Sequence, residues 1–305
     1  MNDVFEQTQE EKSEHFWDDT IVDMAQEYAT HYIVTHYEDP EHPESMLDYH
    51  NTAHTLDVIR RTRHLMQALQ ASTHDLQLAL IAAAFHDVIQ LWDKALTIQS
   101  GIPVVLRKRS NGKSEKASID LARQWMLSRV EDKPKYGTDD FNMVKQAICG
   151  TIAVFDPAYG AVTQPYVWQG SYIITKVLAL ADIGGAAIDG PEHFAQEGDQ
   201  IFRESHVRFV ENIGLEKLRS DPALQKLVHA YILDWMNKQQ RFVDARIALH
   251  PHYINSFSLD VRPAIEASMP HLQSSLAYIQ QLTKIRSKMG LLELLTEMGF
   301  AFDEE

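Results

Sequence analysis

Two runs of apolar residues, 76–85 and 172–183, constrain the fold of this chain more than any other feature. Each run is apolar almost all round when it is placed on a helix, which is typical of a buried helix rather than a surface helix. The paired glycines Gly184 and Gly185 follow the second run, and we expect them to end that helix. The sequence therefore predicts two helices in the interior of a helical fold.

Histidines and carboxylates stand at the ends of these apolar runs. His86 and Asp87 follow the first run, and Asp182 lies at the end of the second. A third polar segment, Tyr-His-Asn-Thr-Ala-His at 49–54, precedes both. Such groups cost free energy at the ends of buried segments unless a partner pairs with them. A divalent metal ion would pair with all of them, since imidazole with carboxylate suits Mn, Fe, Zn, Co or Ni, and also Mg if water completes the coordination.

The spacing of these residues is compatible with one shared site. His50 and His54 are four residues apart, so they share a face if both are helical. Asn51 is a good N-cap residue type, which predicts a helix start there and leaves His50 just outside the helix. The adjacent His86 and Asp87 would point about 100° apart on a helix. They could therefore bind one ion only if it lies in the wedge between them, and that wedge is most accessible at a helix end.

The remaining segments indicate an all-α fold. Apolar residues recur at helical spacing, and no segment shows convincing strand alternation. Segments 94–113 and 156–170 contain glycine and proline and are predicted to be loops. We expect a helical bundle over 15–190 and a helical extension packed on it over 191–305. The predicted helices are 15–37, 51–69, 76–85, 114–130, 140–152, 172–183, 192–213, 221–247, 258–286 and 290–298.

Composition excludes several classes of partner. The formal net charge of −15 over 305 residues argues against binding to a nucleic-acid polymer or to an anionic membrane surface. The single cysteine, Cys149, excludes an internal disulfide and a cysteine-built zinc site. The first residues lack a basic start and an apolar core, and no apolar run approaches the ~18 residues that span a bilayer. We therefore expect a cytoplasmic protein without a membrane partner.

The order of these histidines and carboxylates along the chain resembles that of a known family. His54, then His86-Asp87, then Asp182 match the H…HD…D order of the HD-domain superfamily of metal-dependent phosphohydrolases. The segment 49–54 also resembles the histidine motif of the cyclic-nucleotide phosphodiesterases. The chain is most similar to a group of predicted bacterial HD phosphohydrolases, which have Asn-Glu-x-x-Ser-Ala and Asp-Leu-x-x-Leu-Gly where this chain has Ser-Glu-Lys-Ala-Ser at 114–118 and Asp-Ile-Gly-Gly at 182–185. The resemblance covers about residues 45–190.

The resemblance implies an HD-domain helical bundle and one divalent cation. His54, His86, Asp87 and Asp182 would bind that cation, which could be Mn, Fe, Mg, Co, Ni or Zn. The two carboxylates would leave the site near neutral, with open positions for water and a phosphate oxygen. The implied reaction is hydrolysis of a phosphate ester by a metal-activated water, and the expected substrate is a nucleotide or another small phosphorylated metabolite.

The resemblance also implies roles for neighbouring residues. His50 would protonate the leaving oxygen, for which the near-neutral pKa typical of histidine is suited. Glu115 would orient a metal ligand or the attacking water. Asp57, one turn after His54, could accept a hydrogen bond from the free ring nitrogen of that histidine. The alternative for Glu115 and Asp57 is that both are solvated surface carboxylates.

The chain also departs from the family pattern. It has no histidine between Asp87 and Asp182, where two-metal members of the superfamily, including the di-iron oxygenases, have further ligands. A second tightly held metal and oxygenase chemistry are therefore not expected. The related group often has a histidine where this chain has Thr-Ile-Ala-Val-Phe at 151–155, which puts substrate handling in doubt.

A basic cluster precedes Glu115 on this otherwise acidic chain. Arg107, Lys108, Arg109 and Lys113 lie within seven positions of one another. One interpretation is that they hold substrate phosphates when a loop closes. The other is an ordinary solvated loop.

Two functions from different classes remain. The first is a single-metal phosphohydrolase. The second is a catalytically silent HD-fold module that binds a nucleotide and regulates through its C-terminal helices. The presence of all four expected ligands favours the enzyme. The segment 191–305 contains no motif that indicates a catalytic or binding role. It would either complete the core or form the interface of a homodimer.

Overall fold

The computed structural model describes residues 19–110, 112–128 and 136–302. These residues are mostly helical, which confirms the helical character of the predicted all-α class, and they also form two small antiparallel sheets that were not predicted. The predicted helix start at residue 15 and the predicted ends at residues 130 and 305 lie outside the described residues. The elements are α1 (Asp19–Tyr37), α2 (Thr52–Ala68), α3 (Thr73–Phe85), β1 (Trp92–Gln99), β2 (Ile102–Arg109), α4 (Lys113–Ser128), α5 (Thr138–Gly150), β3 (Val154–Asp156), β4 (Ala161–Thr163), α6 (Ile173–Asp182), a π-helical turn (Gly185–Asp189), α7 (Pro191–Ser205), α8 (Phe209–Ile213), α9 (Leu215–Ser220), α10 (Pro222–Asn255), α11 (Arg262–Ala267), α12 (Leu272–Arg286) and α13 (Leu291–Glu297).

The two apolar runs form the centre of the main core. In α3 every residue from Gln77 to Phe85 is buried, and in α6 every residue from Ile174 to Asp182 is buried. Helices α1, α2, α4 and α5 pack around α3, while α2 and α5 also contact α6. The predicted N-cap is confirmed as well, because Asn51 accepts a hydrogen bond from the backbone N–H of His54 at 3.1 Å. Both buried helices end at one place, where their polar residues meet.

The segment 94–113 was predicted to be a loop, and that prediction is wrong. Strands β1 and β2 form an antiparallel hairpin over most of it. The two residues between the strands, Ser100 and Gly101, have φ of 50° and 83°, as a tight two-residue hairpin turn requires. The proline that suggested a break, Pro103, pairs with Ile98 in a two-stranded ribbon, where both strands are edges and proline is tolerated.

The hairpin joins the main core to a second apolar cluster. Ile102 and Val104 of β2 are buried against residues of α7 and α8, including Phe202 and Phe209. The backbone N–H of Val207 also donates to the carbonyl oxygen of Val105 at 3.0 Å. These contacts hold the hairpin against α7 and α8, while Arg109 at the end of β2 contacts Asp87, which follows α3.

Other boundaries also differ from the prediction. The predicted loop 156–170 contains β4, which pairs with β3. The predicted helix 192–213 is interrupted before α8, where Arg208 has φ of 48°, and the predicted helix 258–286 is divided into α11 and α12. The chain does not leave the helical path fully at Gly184, since the π-helical turn follows α6. The division of the chain at residue 190 stays a prediction.

No helix in the described part of the chain combines the length and the apolar composition needed to cross a bilayer.

Candidate metal centre

Four side chains from three helix ends meet at the end of the two buried helices. His54 comes from the first turn of α2, His86 and Asp87 from the end of α3, and Asp182 from the last residue of α6. One ligand atom of each lies within 4.8 Å of the others, and all four residues are buried. We call them the His–Asp cluster. The sequence predicted this set, and the structure brings it together at a place that could hold a metal ion.

The separations between these atoms match a coordination shell. The Nε2 atoms of His54 and His86 are 3.3 Å apart, and they lie 3.6 Å and 3.5 Å from Oδ1 of Asp182. Their distances to Oδ2 of Asp87 are 3.8 Å and 3.5 Å. Ligands about 2.1 Å from an ion at tetrahedral angles lie about 3.4 Å apart. The arrangement therefore fits one ion at the centre of the cluster.

The protonation states also suit a cation. Nδ1 of His86 donates to the carbonyl oxygen of Ala83 at 2.7 Å, so Nε2 is the atom that faces the cluster. Burial lowers the pKa of His86, but the carboxylates of Asp87 and Asp182 outweigh it and raise that pKa to about 9. Burial likewise opposes ionisation of Asp182, but hydrogen bonds from both histidines outweigh it and lower the pKa of this carboxyl below its usual value. A bound cation takes the place of the imidazole protons in balancing these carboxylates.

The predicted partner of His54 is not found. Asp57 forms ion pairs with Arg60 at 3.0 Å and with His193 at 3.2 Å, and Nδ1 of His54 has no hydrogen-bond partner among the described residues. The prediction that Asp57 holds His54 is therefore wrong, because the carboxylate of Asp57 is taken up by cations of α2 and α7. The ring of Tyr49 packs on His54 instead, with centroids 4.4 Å apart.

His50 is held by a residue that the sequence analysis missed. Its Nδ1 lies 2.5 Å from Oε1 of Glu204 in α7, and its Nε2 lies 3.6 Å from Oδ2 of Asp87. Oε2 of Glu204 accepts the backbone N–H groups of Tyr49 and His50, each at 2.9 Å. Burial opposes ionisation of Glu204, but the nearby His50 and these hydrogen bonds lower its pKa to about 2. No local motif marks Glu204, which is 154 residues from His50 in sequence.

Arg109 connects Glu115 to the His–Asp cluster. Its Nη2 donates to Oδ1 of Asp87 and lies 3.2 Å from Oε1 of Glu115, while Oδ2 of Asp87 faces the cluster. Glu115 is buried and also accepts the backbone N–H of Gly112 at 2.5 Å. Glu115 is therefore not a solvated surface carboxylate, and the guanidinium of Arg109 contacts both it and Asp87.

The rest of the basic cluster lies away from the centre. Arg107 packs over the ring of Trp92 at 4.5 Å and donates to the carbonyl oxygen of Met46 at 2.9 Å. Lys108 and Lys113 are exposed. Of the four predicted cations, Arg109 alone lines the pocket beside the cluster. The alternation of β2 explains part of this result, since neighbouring side chains of a strand point to opposite faces.

A buried arginine connects the segments around the His–Asp cluster, and the sequence analysis did not identify it. Arg61 is fully buried and donates to Asp189 at 2.7 Å, to Glu197 at 2.6 Å and to the carbonyl oxygen of Ala181 at 3.2 Å. It therefore ties α2 to the end of α6, to the π-helical turn and to α7. Asp57, Asp189 and His193 also lie close enough to hold an ion, but Arg60 and Arg61 pair with this group. That arrangement is an ion-pair network.

A cavity of about 640 Å³ opens beside the His–Asp cluster. Asp87, Asp182, His50 and Arg109 line one part of it. The remaining wall is largely apolar and comes mostly from α7, α10 and the β3–β4 hairpin. The apolar side chains include Phe155, Val162, Phe194, Ile201, Trp235 and Phe242. The segment beyond residue 190, for which the sequence suggested no functional residues, thus forms much of the pocket.

Comparison of the chain with protein-family models, with curated proteins and with solved structures gave no match. The resemblance to the HD-domain superfamily therefore rests on the order of the residues, and a mostly helical fold with a His–Asp cluster is compatible with it.

Proposed function

We propose that this protein is a metal-dependent hydrolase of phosphate esters that uses one divalent ion. The observation that carries the proposal is the convergence of four ligand atoms from three separate helix ends, with His–His and His–carboxylate separations of 3.3 to 3.8 Å. Two imidazoles and two carboxylates suit Mn, Fe, Co, Ni or Zn, and also Mg with water in the remaining positions. The substrate would be a nucleotide or another small phosphorylated metabolite.

The ion would supply Lewis-acid chemistry, because a bound divalent cation lowers the pKa of a water molecule and polarises a phosphoryl oxygen. The residues of the His–Asp cluster would hold it, and Asp87 would divide its two oxygens between the ion and Arg109. Burial of the cluster keeps competing bulk water away and strengthens the electrostatic interactions within it.

His50 is the proposed proton donor to the leaving oxygen. Its Nδ1 is held by Glu204 at 2.5 Å, so Nε2 is the atom directed toward Asp87 and the cavity. A histidine fixed in this way presents one nitrogen to the substrate and cannot turn its ring freely. Glu204 is a positioning residue in this account, because it acts through His50.

Arg109 is the proposed anchor for the substrate phosphate. Its guanidinium already faces Asp87, lines the cavity and is one-quarter exposed. The planar guanidinium suits two parallel hydrogen bonds to phosphate oxygens. Glu115 would hold the same guanidinium in place from behind, at 3.2 Å. Lys108, Lys113 and Arg107 are left without a role in this proposal.

The second candidate is a silent module that binds a nucleotide without hydrolysing it. The large apolar share of the cavity wall favours ligand binding in general and is compatible with this alternative.

Hydrolysis assays separate the two functions. The full chain, loaded with Mn²⁺, should hydrolyse p-nitrophenyl phosphate or its bis ester, and His86→Ala should abolish turnover. His31→Ala is the matched control, since His31 is exposed on α1 and lies outside the His–Asp cluster. Turnover that survives His86→Ala would contradict the proposal. Absence of turnover with retained nucleotide binding would favour the silent module.

A further inference from the structure

The cavity beside the His–Asp cluster has two chemically different regions. Its buried part carries the carboxylates of Asp87 and Asp182, which are 4% and 9% exposed. Beyond them the wall is built by aromatic side chains from two helices of the C-terminal part. Phe194 of α7 stacks with Phe242 of α10 at 5.9 Å between centroids. A phosphate group at the His–Asp cluster would face the buried part, so the aromatic wall is available to another portion of the substrate.

This aromatic wall selects against a strongly hydroxylated group. Phe194, Trp235 and Phe242 line it with apolar rings, and the indole N–H of Trp235 already donates to the carbonyl oxygen of Gly198 at 3.1 Å. Burying hydroxyl groups there without partners would cost free energy. A flat ring would instead replace water on apolar surface and gain from stacking.

Two cations lie at the solvent side of the same cavity. Lys238 and Arg241 are exposed, line the cavity and are three residues apart on α10. Lys238 pairs with Asp234 at 2.9 Å, but both side chains are about half exposed, so this pair is weak. Arg241 forms no ion pair within the residues that the structure describes. On a chain with a net charge of −15, this pair of cations is a local exception.

We infer that the substrate is a phosphate ester whose alcohol portion carries an aromatic ring and a second anionic group. The first phosphate would face the His–Asp cluster, the ring would lie against the wall formed by Phe194, Trp235 and Phe242, and the second anion would face Lys238 and Arg241. This inference rests on the proposed hydrolase activity and adds the class of substrate.

The ring is tested with ribose 5-phosphate and adenosine 5′-monophosphate, which differ by the base. We expect kcat/KM with Mn²⁺ to favour the compound with the base by about tenfold or more, as apolar pockets discriminate. Phe242→Ala should reduce that preference, and so should Phe155→Ala, because Phe155 of the β3–β4 hairpin lines the same cavity. Phe155 is 62% exposed, so its loss is not expected to disturb folding. Tyr159→Ala, on the same hairpin and 54% exposed, is the control. Equal use of the two compounds, or a preference that survives both Phe substitutions, would overturn the assignment of the ring.

The second anion is tested with adenosine 3′,5′-bisphosphate against the monophosphate. At low ionic strength we expect a preference of about threefold to tenfold for the bisphosphate, falling with added salt. The double variant Lys238→Gln/Arg241→Gln should lose this preference, while Lys226→Gln, an exposed change elsewhere on α10, should keep it. No preference in the wild-type chain, or one unaffected by the double variant, would overturn this part.

Calorimetric binding of the same three compounds separates this inference from the proposed function. If the chain hydrolyses neither p-nitrophenyl phosphate nor any of these compounds, the hydrolase proposal fails. If it hydrolyses p-nitrophenyl phosphate but neither hydrolyses nor binds the three compounds, the inference is overturned and the hydrolase stands. Selective binding of the ring compounds, lost in Phe242→Ala, would still support the ring site. Hydrolysis of all three compounds at equal rates, with equal binding, would leave the hydrolase intact and overturn the inference.

Discussion

Residues 19–190 and residues 191–302 contribute different chemistry to one pocket. The first part supplies the whole His–Asp cluster together with His50 and Arg109. The second part supplies Glu204, which holds His50, and most of the aromatic wall. The proposed metal ligands lie in short segments at helix ends, where polar residues follow apolar runs and are easy to recognise in the sequence. The residues proposed to orient the proton donor or to contact the substrate come from distant helices, where single polar or aromatic residues resemble any other helical surface.

The largest effect should come from the metal-binding side of this comparison. Asp182→Asn keeps the shape of the side chain but removes one of the two charges that balance the cation. Loss of the ion removes several kcal/mol of transition-state stabilisation, which corresponds to about a thousandfold or more in kcat/KM. Steady-state kinetics with Mn²⁺ measures it, and Asp120→Asn on the exposed face of α4 is the control. Near wild-type activity in Asp182→Asn would remove this residue from the site.

A smaller effect is expected at the junction of the two parts. His50→Gln should lower kcat by about a hundredfold to ten-thousandfold, because general acid catalysis contributes that much. Metal content should stay at the wild-type level, since His50 is not part of the His–Asp cluster. Elemental analysis beside kinetics makes this distinction. If metal and activity disappear together, His50 is a ligand rather than a proton donor.

Substitutions of two neighbouring cations of β2, Arg109 and Lys108, should have very different effects on kcat/KM. Arg109→Gln should lower kcat/KM by about tenfold to a hundredfold, because a hydrogen bond to a charged group contributes about 1.5–3 kcal/mol. Lys108→Gln should change it by less than about twofold, because this side chain is exposed. Measuring both variants at one ionic strength provides the matched control. Equal losses would favour a general electrostatic role for the whole cluster.

The smallest expected effect concerns stability and pH at Glu204. Its pKa is about 2 in the folded chain against an ordinary value of 4.5, so it contributes stability above about pH 4.5 that is lost as the pH falls toward 2. Glu204→Gln should therefore be destabilised by on the order of 2 kcal/mol near neutral pH, with a smaller difference from wild type near pH 3. Denaturant unfolding at several pH values measures this, with Glu211→Gln as the exposed control. A difference that does not depend on pH would show that the charge of Glu204 is not responsible.

The buried helices could be predicted from sequence because a helix that is buried on all sides consists almost entirely of apolar residues. The runs that form α3 and α6 are almost entirely apolar, so their place in the core and the polar residues at their ends were both readable. Asn51 was readable for a local reason too, since its side chain caps the helix that follows.

The hairpin and the pocket wall could not be predicted on the same basis. Leu96 and Ile98 of β1 alternate with Thr97 and Gln99, but the alternation is short and both apolar side chains are 76% exposed, so it does not mark a buried face. The pairing of β2 with the chain near Val207 depends on residues about a hundred positions away. Glu204 reaches His50 only through the packing of α7 on the hairpin, which no local pattern encodes. The error at Asp57 has a related cause, because its partner His193 lies on another helix.

The central claim is that the His–Asp cluster holds one divalent ion. The most direct test is the metal content per chain of the purified protein after incubation with Mn²⁺, Fe²⁺ or Mg²⁺ and removal of free ions, beside His86→Ala and the control His31→Ala. We predict about one ion per chain in the wild type and in His31→Ala, and none in His86→Ala. Absence of metal from the wild-type chain under all three conditions, or an equal content in His86→Ala, would contradict the account.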